Sequence, residues 1–99
     1  MDLNEMMAQA KELQARVGAA QDSLGKVTVK GLAAIGACIV EMTGKYDVLN
    51  VIISDDAMKN SAAELSKIVR DAFLDAKTKA DTLIDKAMSD ATAGVNLPF

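Results

Sequence analysis

The sequence is poor in the residues on which most enzyme and nucleic-acid sites depend. Among its 99 residues there is no histidine or tryptophan, one cysteine, one proline, one tyrosine and two phenylalanines. The absence of histidine removes the commonest general base and metal ligand. A single cysteine forms no disulfide within the chain, and three aromatic rings are too few for a surface on which bases stack. These shortages disfavour an enzyme and a base-stacking site.

Two further absences bear on location and partners. No apolar run is long enough to span a membrane, and residues 1–5 lack the basic region of a secretory signal. We therefore expect a cytoplasmic protein without a membrane partner. The 14 acidic residues exceed the 11 basic ones, for a net charge of −3, whereas nucleic-acid-binding domains are as a rule basic. Nucleic-acid contact would therefore need a local basic patch.

The start of the chain carries apolar residues in alternating steps of three and four. This a/d heptad pattern predicts a helix over residues 2–24, with Asp2 or Asn4 as its N-cap. A helix with so narrow an apolar seam needs another helix to cover it. The seam consists of Leu3, Met6, Ala10, Leu13, Val17, Ala20 and Leu24.

In the middle of the chain the period of the pattern changes to two. Residues 26–54 are predicted to form three strands, at 26–30, 37–43 and 48–54, joined by short connections as an antiparallel meander. Cys38 falls inside the second strand and is interpreted as a small buried hydrophobic residue. A three-stranded meander leaves two open edges, at which a second subunit can pair.

A second long helix is predicted over residues 61–91. Ser61 and Glu64 match a capping box, and an apolar stripe follows. The charged residues on the other faces of this helix are interpreted as solvated i,i+4 pairs. Residues 92–99 form an apolar tail. Residues 1–99 thus read as a single α+β domain in the order α-β-β-β-α, and the uncovered seams of so small a protein predict self-association.

No motif of catalytic, metal or cofactor chemistry accompanies these elements. The glycines are too widely spaced for a phosphate-binding loop, and Asp55 and Asp56 lack the ligand spacing of a calcium loop. We therefore predict a protein that is not an enzyme and uses neither a metal nor a cofactor.

Several features, in this order, resemble one known family. A heptad helix rich in Met, Gln and Lys (residues 6–14) precedes the meander, the next helix contains DAFLDAK (residues 71–77), and the chain closes on GVNLP (residues 94–98). This arrangement is similar to that of the YbaB/EbfC family of small bacterial nucleoid-associated proteins. The resemblance implies a protomer that dimerises through its sheet and projects paired helices as arms. It also implies DNA binding by the dimer, with a role in nucleoid organisation or gene regulation.

If the first and last helices pair antiparallel, cations on both helices come within reach of one another. Their contacts with phosphates would carry little sequence information. The apolar strand residues Val27, Val29 and Val40 are candidates for the dimer interface, and the last two are taken as buried edge positions. The DNA-binding candidates are Lys11, Arg16, Lys77, Lys79 and Lys86.

A second interpretation stays open at this point. Aliphatic composition, six methionines and acidic charge also suit a dimeric module that binds another protein through its apolar arms or through Leu97, Pro98 and Phe99. The distribution of cations discriminates between the two. Cations clustered on one surface favour DNA, whereas cations scattered among carboxylates beside an exposed apolar patch favour a protein partner.

Overall fold

The computed structural model describes residues 2–93, in which two long helices flank three strands. The elements are α1 (Leu3–Leu24), β1 (Thr28–Ala33), β2 (Cys38–Thr43), β3 (Val48–Ile53), a 3-10 turn (Ala57–Lys59) and α2 (Ala62–Thr92). The strands form one antiparallel sheet in the order β1-β2-β3. The predicted α+β class and α-β-β-β-α order are confirmed. Of the predicted tail, residues 94–99 lie outside the described part of the chain.

Both long helices begin at side-chain caps that the sequence predicts. Oδ1 of Asp2 accepts a hydrogen bond from the Glu5 amide at 2.8 Å, and Oγ of Ser61 accepts one from the Glu64 amide at 3.2 Å. Of the two candidates for the first cap, Asp2 rather than Asn4 fills the position. Each cap satisfies an amide that has no partner in the first helical turn, which typically stabilises a helix by about 1 kcal/mol.

The first strand lies further along the chain than the sequence predicts. The predicted range is 26–30, with Gly31 opening the connection, but β1 continues through Gly31 to Ala33. The backbone then turns at Ala34 and Gly36, whose φ angles are 51° and 82°. Glycine weakens a strand interior and is therefore easily mistaken for its end.

Gly31 is tolerated inside β1 because α2 crosses the strand there at very short range. A Cβ atom on Gly31 would lie 2.1 Å from the carbonyl oxygen of Ala72 and 2.4 Å from the amide nitrogen of Ala76. Ala72, Ala76 and Ala80 are fully buried and, four residues apart, form one stripe along α2. Small residues on both elements thus allow helix and strand backbones to touch.

The core lies between this alanine stripe and one face of the sheet. Cys38, Val40 and Met42 alternate along β2, are at most 1% exposed, and pack against the stripe. The predicted alternation of β2 is confirmed. Burial raises the pKa of the Cys38 thiol, which keeps the thiol protonated and unreactive.

The third strand is left largely uncovered. α2 packs mainly on β1 and β2, and all six residues of β3 are exposed. A register shift opposite Glu41 and Met42 leaves Leu49 as the additional residue of a bulge, so that Val48 rather than Leu49 pairs with Met42. The sheet therefore ends in an exposed strand that is apolar on both faces.

The two long helices form an arm. α1 runs antiparallel to the C-terminal half of α2, and the Arg16 guanidinium donates to the Ala93 carbonyl oxygen at 3.1 Å. The 31 residues of α2 span about 46 Å, whereas a six-residue strand spans about 20 Å, so the helix pair extends beyond the sheet. The apolar seam of α1 is buried at Leu24 but exposed at Met6 and Leu3.

Candidate nucleic-acid interface

Arg16 lies where α1 meets the end of α2. Besides its bond to Ala93, its guanidinium donates to Oε1 of Glu12, one turn earlier on α1, at 2.8 Å. The Arg16 side chain therefore joins the two helices of the arm. Part of its charge is balanced by Glu12, and the rest faces solvent, since the side chain is 42% exposed.

Lys77 is held on one flank of α2, beside the turn between β2 and β3. Its Nζ lies 3.0 Å from Oδ2 of Asp81 and 5.7 Å from the centre of the Tyr46 ring. The Tyr46 hydroxyl donates to Oδ1 of the same carboxylate. Hydrogen bonds from Tyr46 and then Lys77 lower the pKa of Asp81, and the bond to Asp81 raises the pKa of Tyr46. The charge of Lys77 is thus largely engaged within the protomer.

Lys79 is engaged on the other flank, at the outer edge of β1. Its Nζ donates to the Lys30 carbonyl oxygen at 2.7 Å and lies 3.0 Å from Oδ2 of Asp75. The same Asp75 oxygen accepts the Leu32 amide at 2.9 Å. The Leu32 amide first, and Lys79 second, lower the pKa of Asp75. Asp75 and Lys79 therefore tie α2 to the strand edge.

The five sequence-predicted cations do not meet in one patch. Lys77 and Lys79, two residues apart, leave α2 in directions about 160° apart. Arg16 contacts Ala93, about 24 Å further along α2 than Lys77. The helices do pair antiparallel, but the expectation that this pairing brings Arg16 close to Lys77 and Lys79 is wrong.

Lys11 and Lys86 are the candidates with unengaged charge. Both are exposed, and within residues 2–93 neither forms an ion pair. Lys86 lies about 10 Å before Ala93 on α2, and Lys11 lies about 8 Å beyond Arg16 on α1, towards the tip of the arm. These two amines remain available to a phosphate.

The predicted dimer residues occupy three different environments. Val40 is 1% exposed and belongs to β2, the central strand, so it lies inside the protomer core and its prediction as an edge position is wrong. Val29 is partly buried against the same core. Val27 precedes β1 and is 40% exposed. Periodicity identified apolar strand positions but not the order of the strands in the sheet.

Sequence reasoning did not single out the exposed apolar strand. Five of the six β3 residues are large and apolar, and their side chains are between 38% and 58% exposed. The run Val48–Ile53 contains no charged residue. This absence of charge is the sequence signal that could have indicated an exposed apolar strand. Among residues 2–93, six of the eleven cations lie within 4.0 Å of a carboxylate. Positive charge is therefore scattered, whereas β3 carries a continuous run of exposed apolar side chains.

Other kinds of site have little support in the described part of the chain. No three His, Cys, Asp or Glu side chains of residues 2–93 gather as metal ligands would. Neither described long helix has a segment apolar enough to cross a membrane. An open cavity of about 430 Å³ lies where α1, α2 and the β2–β3 turn meet, and it is lined by Gln21, Leu24, Gly44, Lys45, Tyr46, Ile84 and Met88.

The two engaged carboxylates make the fold sensitive to acid. Because the pKa values of Asp75 and Asp81 are lowered in the folded protein, their stabilising contribution is present above the ordinary aspartate pKa of about 4. It is lost as the pH falls through the lowered values. We expect the urea midpoint of Asp75→Asn/Asp81→Asn to fall less than that of the wild type between pH 5 and pH 2.

Asp85→Asn/Asp90→Asn is the matched control for this experiment. It removes the same charge from exposed residues of α2 that form no ion pair within residues 2–93. The control should keep the acid sensitivity of the wild type. Equal sensitivity in all three proteins would contradict the assignment.

Comparisons with known proteins agree with this architecture. The model of the YbaB/EbfC DNA-binding family matches residues 1–95. The chain is 38% identical to a nucleoid-associated protein of Bradyrhizobium diazoefficiens and 37% identical to one of Gluconobacter oxydans. Each alignment covers 98% of this chain and 92% of the relative.

The fold also has a counterpart among solved structures. The crystal structure of an uncharacterized protein from Helicobacter pylori superposes with a TM-score of 0.64, covering 87% of this chain and 96% of that one. At 12% identity this likeness concerns the fold alone. Since the family model spans nearly the whole sequence and the relatives align over almost their full length, this chain belongs to the YbaB/EbfC DNA-binding family.

Proposed function

We propose that the protein binds DNA as a dimer, through contacts between DNA phosphates and lysines on its helical arms. The observation that carries the proposal is the arm: the α1–α2 pair extends beyond the sheet and bears Lys11 and Lys86, whose charges are not neutralised within residues 2–93. The family, and relatives named nucleoid-associated proteins, support a cytoplasmic role in nucleoid organisation or gene regulation.

The charges on the arm predict how such binding behaves. A dimer presents two arms and hence four of these lysines, and amine–phosphate contacts position a protein without reading bases. Arg16 adds a partly balanced charge at the helix junction. Because the chain carries a net charge of −3, binding is expected to be weak at each arm, tolerant of sequence and strongly dependent on salt.

Removing Lys11 and Lys86 should weaken the dependence of DNA binding on salt. For an arbitrary-sequence duplex, the logarithm of the association constant should fall linearly with the logarithm of salt concentration, by about 0.9 per phosphate contact. Lys11→Ala/Lys86→Ala removes four amines from a dimer, so its slope should be shallower by up to about 3.6. Fluorescence anisotropy of a labelled duplex across a salt series measures the slope.

Lys26→Ala/Lys67→Ala is the control for this measurement. These lysines are also without an ion pair among residues 2–93 but lie off the arm, at the α1–β1 turn and near the start of α2. The control should keep a slope close to that of the wild type. A wild-type slope in Lys11→Ala/Lys86→Ala would contradict the role of the arm lysines. Lys77→Ala/Lys79→Ala should change the slope less, because both amines are engaged within the protomer.

A second candidate function is favoured by a separate observation. β3 carries a continuous run of exposed apolar side chains, and cations are interspersed with carboxylates. Such a surface suits a protein partner of a dimeric module that is not an enzyme. Absence of duplex binding even at low salt would favour this function. The predicted contact through Leu97, Pro98 and Phe99 lies outside the described residues.

A further inference from the structure

The turn between β1 and β2 has a strained backbone. Ala34, Ile35 and Gly36 all have positive φ angles, of 51°, 56° and 82°. The Ala37 amide donates to the Ala34 carbonyl oxygen at 3.2 Å, which makes Ile35 and Gly36 the central residues of the turn. Glycine, asparagine and aspartate adopt such φ angles readily, whereas a β-branched residue that does so is an outlier. Isoleucine at this position is therefore unfavourable for folding.

Burial does not offset the strain at Ile35. Its side chain is 108% exposed, the highest value among the large apolar residues of the part of the chain that the structure describes. Strained backbone conformations cluster at sites where a protein binds a ligand or a partner. Strain and full exposure together indicate that Ile35 makes its contact outside the protomer.

The hairpin that presents Ile35 has a composition that suits contact with DNA. The run from residue 26 to residue 40 contains two lysines and no carboxylate. The neighbours of Ile35 at the tip, residues 33, 34, 36 and 37, are three alanines and a glycine. Because these side chains are small, another molecule can come close to the backbone of the turn on both sides of the isoleucine.

Carboxylates at this end of the sheet lie beside the hairpin, and most of them are paired. Asp75, which accepts the amide of β1, lies 3.0 Å from Nζ of Lys79. Asp56, which follows β3, lies 3.3 Å from Nζ of Lys59. Asp55 forms no ion pair within residues 2–93. The apolar tip itself offers nothing to a phosphate, so its contact with DNA would be with the bases.

We propose that Ile35 inserts between two stacked base pairs of bound DNA and kinks the duplex. Proteins that bend DNA from the minor groove use apolar side chains, isoleucine among them, as wedges that produce kinks of about 20–90°. This inference rests on the DNA binding of the proposed function and adds a second contact to it. The lysines of the arm hold phosphates, whereas Ile35 deforms the duplex.

The wedge has a firm base and is separate from the arm. Asp75 and Lys79 tie β1 to α2 through hydrogen bonds of 2.9 and 2.7 Å. The hairpin tip lies beyond Gly31, which meets α2 at Ala72 and Ala76, whereas α1 pairs with the C-terminal half of α2. The two contacts with DNA can therefore be removed one at a time.

Ile35→Asn tests the wedge without disturbing the turn. Asparagine suits a positive φ, so the variant should unfold at a urea concentration no lower than that of the wild type. On a duplex with a donor and an acceptor dye at its two ends, the wild type should raise the energy transfer. Ile35→Asn, added to saturation, should leave the energy transfer at the value of unbound DNA.

Ile35→Leu and Leu74→Asn are the controls. Leucine keeps an apolar wedge and should keep the rise in energy transfer. Leu74→Asn removes a 50% exposed aliphatic side chain from the side of α2 opposite the alanine stripe, and it should bend DNA as the wild type does. Wild-type energy transfer with Ile35→Asn would overturn the wedge. A lower urea midpoint for Ile35→Asn would overturn the strained turn on which the wedge is argued.

The outcomes separate this inference from the proposed function. A wild type that does not bind the duplex at low salt would overturn both. A wild type that binds without raising the energy transfer would overturn only the wedge. Ile35→Asn removes no amine, so the salt dependence of its binding should have the wild-type slope, unlike that of Lys11→Ala/Lys86→Ala.

Discussion

Replacing Gly31 by alanine is expected to destabilise the protein by about 3 kcal/mol or more. The new Cβ atom would lie 2.1 Å from the Ala72 carbonyl oxygen, 2.4 Å from the Ala76 amide nitrogen and 2.6 Å from the Ala76 Cβ. Two of these atoms are helix backbone, which cannot move aside as a flexible side chain does. α2 would have to lift from β1, and the core beneath the alanine stripe would open.

The loss should be a large fraction of the total stability. A domain of this size typically has a free energy of unfolding of about 5–15 kcal/mol. Urea unfolding followed by circular dichroism measures the change. Gly18→Ala is the control, because a Cβ at Gly18 meets nothing within 4 Å and alanine favours a helix by up to about 1 kcal/mol. An unchanged midpoint for Gly31→Ala would contradict the close crossing of α2 over β1.

The second large effect is expected from Val40→Glu. Val40 is 1% exposed on the central strand, within a cluster of Cys38, Met42 and the alanine stripe that contains no cation. A carboxylate left without a partner in such surroundings costs about 3–5 kcal/mol. The substitution should therefore unfold the protomer, rather than separate two folded subunits as an edge position would.

Val51→Glu is the comparison that separates these two results. Val51 pairs with Val40 in the sheet, but it lies on β3 and is 44% exposed, so a glutamate there remains hydrated. Thermal unfolding and sedimentation together distinguish the outcomes. Val40→Glu should lose its cooperative transition, and Val51→Glu should keep a cooperative transition. A folded, soluble dimer of Val40→Glu would contradict the position of Val40 in the core.

Local patterns were enough to predict the elements and several of their details. The heptad steps of α1, the alternation of β2 and the caps at Asp2 and Ser61 each arise from residues close together in the sequence. Their physics is correspondingly local: a side-chain oxygen meets an amide three residues away, and apolar residues recur with the period of their element. The order of these elements, together with the short motifs, also indicated the family.

The sequence predicted the candidate site only as a set of cations. Whether each cation contacts another group of the protein depends on residues that are far away in the sequence. Lys77 and Lys79 look alike in sequence, yet one meets Tyr46 and the other the Lys30 carbonyl oxygen. These contacts exist because α2 lies across β1 and β2, which places its two flanks against different parts of the sheet. Lys11 on α1 and Lys86 on the C-terminal half of α2 meet no carboxylate among residues 2–93.

The sequence by itself determined the element order, the helix caps, the aliphatic core of β2 and the family, since each follows from neighbouring residues and their spacing. Only the tertiary structure decided that Gly31 lies inside a strand, that Val40 lies in the core and that β3 is the exposed edge. These features depend on where α2 packs. Close contact of its alanine stripe with Gly31 centres the helix over β1 and β2. Asp75 and Lys79 therefore contact the backbone of β1, whereas β3 at the other edge is exposed within the described structure.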